Sequence, residues 1–307
     1  MNKCLLLVVA SLALSLSVRS QEGKSFELFA ENSVPNQSAA NYGKYLFLVR
    51  DLFASVSLYD LESKNLVYTL KQKAHREKKG DTFVYHCNQC NFGIDKYLDD
   101  DFFPLLYISQ RNRTSKEGAF VLVVRIIPSM NDNGDIVSFS IEEVQRIHLP
   151  LMTDKNGMGL PNVIIDPINK VLYTYSRNIR KKADNYRIAV ISKFDLPPLR
   201  RDGEILKDYF LTDGDILDSF YCDFQLSNAQ GGFYKDHHIY IAQGSPKVGY
   251  VYLRDIDLNE RRENRVIDML SLGFIKEPEG LWFYDGHIMI SGRNEIFKLI
   301  GTEFQVE

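Results

Sequence analysis

One sequence pattern recurs along this chain and limits its fold more than any other feature. It consists of an amide or acidic side chain, a short apolar strand, a tight turn and a second strand with a polar end. The clearest copies are SNAQGGFYKDHHIYIAQG, which contains Gln230, and KEPEGLWFYDGHIMISGR, which contains Glu279. In these copies Ile239 and Ile288 of the second strand lie nine residues after the polar side chain. A chain that repeats one supersecondary unit in this way folds as an array of similar units.

Three further copies complete the set. The same nine-residue spacing joins Asn162 to Val171 and Gln37 to Leu46. The remaining copy begins at Gln89, where an insertion lengthens the first turn. The repeated polar positions are therefore Gln37, Gln89, Asn162, Gln230 and Glu279.

Each copy continues into a third strand and usually a fourth. The third strands are SVSLYDL, AFVLVVR, YRIAVISKFDL, GYVYLRDIDL and EIFKLI, and the fourth are LVYTLK, VQRIHL, ILKDYFL and RVIDML. These segments alternate and are rich in β-branched and aromatic residues, and no long stretch has a helical period. Four antiparallel strands per repeat are typical of a propeller blade, so we predict an all-β, five-bladed β-propeller. A β-sandwich or an open meander is the alternative.

The fifth copy ends soon after its third strand. Its missing outer strand is predicted to come from the other end of the chain, where SFELFAENS precedes the first copy. We expect Ser25–Asn32 to pair in the last blade and to close the ring. Closure of this kind removes the exposed strand edges that an open array would leave.

The first twenty residues have the pattern of a secretion signal. Lys3 precedes a short apolar run, Leu5–Leu16, and Ser20 precedes the expected cleavage point. The run is too short to span a membrane, although an uncleaved anchor is the alternative. We therefore predict a signal peptide at 1–20, a single propeller domain at 21–307, and a location in the periplasm, at the cell surface or outside the cell.

The charge of the mature chain argues against one class of partner. Loss of residues 1–20 removes Lys3 and Arg19 but no acidic residue, so the net charge of −3 becomes −5. A general nucleic-acid-binding protein needs a basic surface, which this balance does not provide.

The start of two inner strands resembles that of known secreted propellers. WD and kelch signatures are absent, but Gln230–Phe233 (QGGF) and Glu279–Leu281 (EGL) are similar to segments of small secreted propellers of the helveticin and phage teichoic-acid-associated type. The resemblance to secreted β-propellers as a superfamily covers the whole mature chain.

The repeated polar side chains are expected to form one ring around the propeller axis, because the innermost strand of each blade begins there. Amide side chains can both donate and accept hydrogen bonds. They could bind one another, neighbouring backbone and water as a structural plug, or they could form the floor of a ligand site. Glu279 is the one acidic member of this set.

Arginine recurs at the end of the second strand, on the same face as this ring. Its guanidinium group suits two-point binding of a carboxylate or phosphate. Solvated strand ends that pair with nearby carboxylates are the alternative. The expected arginine rim consists of Arg50, Arg111, Arg177 and Arg293.

The motif HCNQC contains two of the three cysteines that follow the signal segment. A zinc site would need a second pair of ligands, and a redox pair usually opens a helix, whereas this one opens a strand. A structural disulfide, local or with Cys222, and buried thiols both fit Cys87 and Cys90 better.

These features predict a monomeric, secreted propeller that binds a polar or anionic carbohydrate or cell-surface polymer. A glycan hydrolase or lyase with Glu279 as acid or base is one alternative, and a protein-binding scaffold is another. A hydrolase needs two carboxylates at the axis, and the ring offers Glu279 with only Glu277 nearby. We expect no cofactor, although Glu279 and amide oxygens could hold a calcium ion.

Overall fold

The computed structural model describes most of the chain as a single ring of β-sheets. The described residues are 25–31, 35–51, 55–71, 87–109, 120–150, 162–178, 187–199, 208–301 and 304–305. The predicted signal segment and Arg111 lie outside them. Within them the strands form five separate sheets, which confirms the predicted five-bladed β-propeller.

Blades 1 and 2 come from the first half of the chain. Blade 1 consists of β2 (Ser38–Tyr42), β3 (Tyr45–Val49), β4 (Ser55–Asp60) and β5 (Asn65–Lys71). Blade 2 consists of β6 (Gln89–Phe92), β7 (Leu106–Ser109), β8 (Phe120–Met130), β9 (Ile136–His148) and an added strand, β13 (Asp208–Phe210).

Blades 3, 4 and 5 complete the circle. Blade 3 consists of β10 (Asn162–Asp166), β11 (Val171–Arg177), β12 (Ile188–Asp195) and β14 (Asp218–Gln225). Blade 4 consists of β15 (Ala229–Lys235), β16 (His238–Ser245), β17 (Tyr250–Asp257) and β18 (Arg262–Asp268). Blade 5 consists of β19 (Gly280–Tyr284), β20 (His287–Gly292), β21 (Glu295–Leu299) and β1 (Phe26–Glu31).

The innermost strands surround the axis in chain order. Each of β2, β6, β10, β15 and β19 contacts the next, and β19 returns to contact β2. The strand β15 also reaches across the axis to β6 and β2. The centre of the propeller is therefore closely packed around blade 4.

The N-terminal strand closes the ring as predicted. It pairs antiparallel with β21, with Phe26 opposite Leu299 and Glu31 opposite Glu295. The expected last residue of this strand, Asn32, lies outside the described residues. Blade 5 thus obtains its outer strand from the start of the chain.

The predicted fourth strand of blade 3 was wrong. Within the segment ILKDYFL, Asp208–Phe210 pairs parallel with β9 and so belongs to blade 2. The Phe210 ring stacks on His148 at 4.3 Å, and His148 Nε2 lies 2.8 Å from Asp208 Oδ1. These contacts favour pairing of Asp208–Phe210 with the free edge of the long strand β9. The outer strand of blade 3 is β14 instead.

The hydrophobic core lies between the blades. Five clusters of buried side chains each join two neighbouring blades, including the pair formed by blades 5 and 1. Alternate residues of a strand point to opposite faces of its sheet, so each inner blade surface can pack on the next blade. This packing fixes the positions of the axial side chains.

Candidate functional site

The repeated polar side chains lie where the inner strands begin. We call this side of the propeller the entry face; the second strand of each blade ends there. Four of the five repeated side chains are buried, and Gln37 is half-buried. Their hydrogen bonds divide them into two groups with different surroundings.

The first group binds the backbone of blade 4. The Gln89 side chain reaches across the axis, where its Oε1 accepts the backbone N–H of Gly232 at 2.7 Å and its Nε2 donates to the Gly232 carbonyl. Asn162 Nδ2 lies 3.5 Å from the carbonyl of Ala229, which also accepts from Asn88 at 2.9 Å. Gln89 and Asn162 thus bind neighbouring backbone, which is the arrangement expected of a structural plug.

Two glycines allow β15 to approach its neighbours so closely. A Cβ atom on Gly232 would lie 2.6 Å from the Tyr240 carbonyl oxygen and 2.9 Å from Ile164 Cδ1. A Cβ atom on Gly231 would lie 2.6 Å from the backbone nitrogen of Leu281. The QGGF segment is therefore required by backbone packing at the axis.

The second group surrounds a buried carboxyl group. Gln37 Nε2 donates to Glu279 Oε2 at 2.5 Å, and Gln230 Nε2 donates to Glu277 Oε1 at 3.4 Å. Glu279 is only 4% exposed. Burial, with a further contribution from the Glu277 charge, raises the pKa of Glu279 from 4.5 to about 8, although the charge of Arg293 opposes this shift. At neutral pH the Glu279 carboxyl group is therefore mostly protonated.

The side-chain amides around the axis bear on the predicted calcium ion. Gln37 and Gln230 turn their amide nitrogens toward the carboxyl groups, and Gln89 Oε1 already accepts a backbone N–H. A calcium ion needs several oxygen atoms directed at one point. A calcium ion at the axis therefore stays a prediction.

An open polar cavity of about 670 Å³ lies beside this second group. It is lined by carboxylates and cations together, so it offers both hydrogen-bond acceptors and donors. Glu279 does not line it, whereas Glu277 does. The lining residues are Glu31, Lys276, Glu277, Gly292, Arg293, Asn294 and Glu295.

Three of the four predicted arginines can be placed. Arg50 and Arg293 directly follow the second strands of their blades, and Arg177 ends the second strand of blade 3. All three are exposed, and Arg293 lines the polar cavity. The strand directions put them on the entry face, as the repeat alignment predicts.

The sequence analysis did not single out a cavity at the other end of the axis. We call the side on which the inner strands end the exit face. There, residues from the inner strand or first turn of all five blades line a cavity of about 350 Å³. Phe233 and Trp282 belong to buried clusters between neighbouring blades and also line this cavity. The aromatic residues near the first turns are the sequence feature that could have indicated this cavity.

The cysteines are buried thiols. Cys87, Cys90 and Cys222 are each buried, and none forms a disulfide within the described structure. Burial raises the pKa of the Cys90 and Cys222 thiols to about 12. A thiol with so high a pKa is a poor nucleophile and a poor metal ligand at neutral pH.

Two further features are absent from the described residues: a membrane-spanning helix and a metal-binding cluster. No helix there is long and apolar enough to span a bilayer. No group of three or more His, Cys, Asp or Glu side chains there is placed to hold a metal ion.

Comparison with known proteins leaves the function open. No protein-family model matches the chain, and no curated protein matches its sequence significantly. Glutaminyl cyclase from Myxococcus xanthus is similar in structure, with 11% identity, a TM-score of 0.45, and coverage of 90% of this chain and 95% of that one. A luciferin-regenerating enzyme has 9% identity, a TM-score of 0.44, and coverage of 92% and 97%. Similarity at this level assigns no function, and the resemblance to helveticin-type propellers stays a prediction.

Proposed function

We propose that this protein is a secreted, monomeric propeller that binds a polar or anionic carbohydrate, or a cell-surface polymer built from one, at its entry face. The observation that carries the proposal is the open cavity in which Glu277 and Arg293 face the same space. Sugar hydroxyl groups both donate and accept, so they suit a wall that mixes carboxylates with cations.

The exposed arginines support binding of an anionic substituent. Arg293 lines the cavity, and Arg50 and Arg177 end strands on the same face. Protonated Glu279 adds no negative charge to the floor at neutral pH, because its pKa is about 8. An acidic glycan would therefore meet less repulsion than the sequence alone suggests.

The test begins with a glycan array, followed by titration of one acidic hit at several salt concentrations. We expect affinity to fall with ionic strength, because exposed charge contacts are screened. Arg293→Gln should weaken binding by about tenfold, the effect of losing one charged hydrogen bond after desolvation is subtracted. Changing Arg177 as well should weaken it further.

Arg262→Gln is the matched control, since Arg262 is also exposed but begins β18 at the exit face. It should leave the affinity unchanged. Above pH 8 the wild type should lose affinity for the acidic glycan as Glu279 ionises, and Glu279→Gln should not. An affinity that is unchanged by salt concentration and by Arg293→Gln would contradict the anionic-ligand proposal.

A glycan hydrolase or lyase is the second candidate, and one observation favours it. Glu277 and Glu279 lie close enough for the charge of Glu277 to raise the pKa of Glu279. Glycoside hydrolysis uses a pair of carboxyl groups, one of which has a raised pKa and acts as the acid. The deep burial of Glu279 behind the cavity wall makes this the second choice.

The two candidates respond differently to the same variants. For a hydrolase, Glu279→Gln should abolish turnover of an array hit while the substrate still binds. Glu277→Gln should also abolish turnover, because it removes the second carboxylate that the reaction needs. Binding without turnover in the wild type would leave only the binding function.

A further inference from the structure

We propose that the exit-face cavity binds a small quaternary ammonium compound, a cation whose nitrogen carries methyl groups. The site is separate from the entry face and independent of the function proposed there. Its lining comes from all five blades and includes the small side chains of Ala39 and Ala40. Its volume of about 350 Å³ falls within the range of roughly 300–1,000 Å³ that is typical of small-molecule sites.

Aromatic side chains supply the attraction for such a cation. Six belong to the described lining, and four of these are partly exposed: Tyr42, Phe92, Tyr234 and Phe283. The face of an aromatic ring is negative, so a cation within about 6 Å of the ring centroid is attracted to it. One ring of this set already binds an ammonium group, since Lys235 Nζ lies 5.0 Å from the centroid of Phe283.

The Tyr234 ring has one face covered by protein. It lies parallel to the Tyr173 ring, with centroids 6.2 Å apart and an interplanar angle of 9°. Tyr173 does not line the cavity, so the opposite face of Tyr234 is left for a ligand. The Tyr234 hydroxyl group donates a hydrogen bond to the carboxylate of Asp166. This bond increases the electron density of the ring and so strengthens its attraction for a cation.

Asp166 also brings a buried negative charge to the wall of the cavity. It is 1% exposed and lies in sequence between Ile165 and Pro167, which both line the cavity. Its other hydrogen bonds come from neutral donors, the backbone N–H groups of Ile168 and Asn169 and the Asn169 amide. No Lys or Arg among the described residues forms an ion pair with it. A buried carboxylate is stabilised by a nearby cation, and a cation in the cavity would supply that charge.

The polar groups of the lining favour a methylated nitrogen over one with N–H groups. A primary ammonium group has three donors, and each needs an acceptor when it is removed from water. The described lining contains two amide side chains, Asn41 and Asn91. Asn91 Oδ1 already accepts from Gln89 Nε2 at 3.1 Å. A quaternary nitrogen has no donors, and its methyl groups can contact apolar and aromatic side chains directly.

Lys96 is the one cation in the described lining, and carboxylates of the same turn oppose its charge. It already has an interaction within the described structure. Turn 93–105 has no other Lys or Arg and contains Asp95, Asp99, Asp100 and Asp101. Asp95 and Asp101 pair with Lys170 and Arg125, which leaves two aspartates against Lys96. The turn therefore gives the cavity no net positive charge.

Calorimetric titration of the full-length protein with choline tests the proposal. The matched control is 3,3-dimethylbutan-1-ol, which has the shape of choline but a carbon atom in place of the charged nitrogen. Ethanolamine, which has a primary amine, tests the contribution of the methyl groups. We expect saturable binding of choline. The neutral alcohol should bind about tenfold more weakly, because the attraction between the cation and the rings is lost, and ethanolamine should also bind more weakly.

Three variants test the aromatic wall. Tyr42→Ala should weaken choline binding by about fivefold, whereas Tyr42→Phe, which keeps the ring, should change it by less than about twofold. Tyr234→Phe removes the hydrogen bond to Asp166 but keeps the ring. It should weaken choline binding by about threefold and leave binding of the neutral alcohol unchanged. Tyr221→Ala is the matched control, because Tyr221 is 40% exposed on the outer strand of blade 3. Thermal melts confirm that each variant is folded.

Several results would overturn the proposal. Absence of saturable heat with choline would remove the site. Equal affinity for 3,3-dimethylbutan-1-ol would show that the cavity does not select a cation, and equal affinity for ethanolamine would show that it does not select a quaternary nitrogen. Choline affinity that is unchanged in both Tyr42→Ala and Tyr234→Phe would place the bound choline outside this cavity.

Discussion

The two ends of the inner strands are built from opposite chemistry. At the entry face the strands begin with amides and a buried carboxyl group, and Gln89 hydrogen-bonds across the axis to the backbone of β15. At the exit face the same strands end in aromatic residues that surround a cavity. One short strand per blade therefore supplies both a polar plug and an apolar pocket, separated by only a few residues.

The two ends of the inner strands are expected to contribute differently to the free energy of unfolding. The entry end is tightly packed, because glycines let β15 touch the neighbouring backbones and Gln89 satisfies the buried amide of Gly232. The exit end has spare volume, since a cavity of about 350 Å³ lies there. We therefore expect substitutions at the entry end to change the free energy of unfolding most.

The largest effect is expected for Gly232→Ala. The new Cβ would lie 2.6 Å from the Tyr240 carbonyl oxygen, which cannot move without breaking blade 4. Overpacking and the weakened Gln89 bonds together should cost about 4 kcal/mol. Denaturant titration measures the change in the free energy of unfolding. Gly214→Ala is the control, because Gly214 is exposed and its Cβ would lie 3.4 Å from the nearest atom. Equal costs at the two sites would contradict the close packing at the axis.

The next effect concerns the pH dependence of stability. Folding raises the pKa of Glu279 from 4.5 to about 8, so between these values the folded state holds a proton that the unfolded state has released. The Glu279 contribution is therefore fully present below pH 4.5 and is lost as the pH rises through 8. We expect a loss of about 3 kcal/mol over this window, since each pH unit can contribute at most about 1.4 kcal/mol and the protein relaxes around the charge.

Denaturant titrations of wild type and Glu279→Gln across that window provide the measurement. The amide imitates the protonated acid, so the two proteins should be equally stable at low pH and diverge as the pH rises. If the stability of the two proteins changed with pH in the same way, Glu279 would have a normal pKa. The entry face would then have a charged carboxylate beside its arginine rim at neutral pH.

The smallest effect distinguishes two members of the plug. Gln89→Met keeps the length of the side chain but leaves the buried N–H of Gly232 unpaired, which should cost about 2 kcal/mol. Asn162→Leu should cost less than about 1 kcal/mol, because Ala229 keeps its shorter bond from Asn88. Denaturant midpoints compare the two. A reversed order would show that the plug depends on blade 3 more than on blade 2.

The repeat made much of the fold predictable, because each blade is a local unit with its own spacing. The nine-residue spacing correctly predicted the positions of the inner strands. The short fifth copy correctly predicted that the N-terminal strand completes blade 5. The strand Asp208–Phe210 was misplaced because its partner is chosen by the open edge of β9, a contact between blades that strand patterns do not encode.

The candidate sites were less predictable, because they depend on distances across the axis. The sequence placed polar side chains at the entry face but could not show that Gln89 binds Gly232 while Gln37 binds Glu279. The raised pKa of Glu279 depends on burial, which arises only when the ring has closed. The exit-face cavity depends on two alanines that have no distinctive sequence pattern.

The pairing of β1 with β21 has a consequence for how the protein is made. The strand β1 is synthesised long before its partner β21, so it must wait until the strands of the other four blades have been made. Contacts between such distant residues carry a high entropic cost and form slowly. Until then blade 5 exposes unpaired strand edges, which are prone to aggregation, and a chain truncated before Glu295 would keep them exposed. Synthesis of β21 thus acts as a checkpoint on folding.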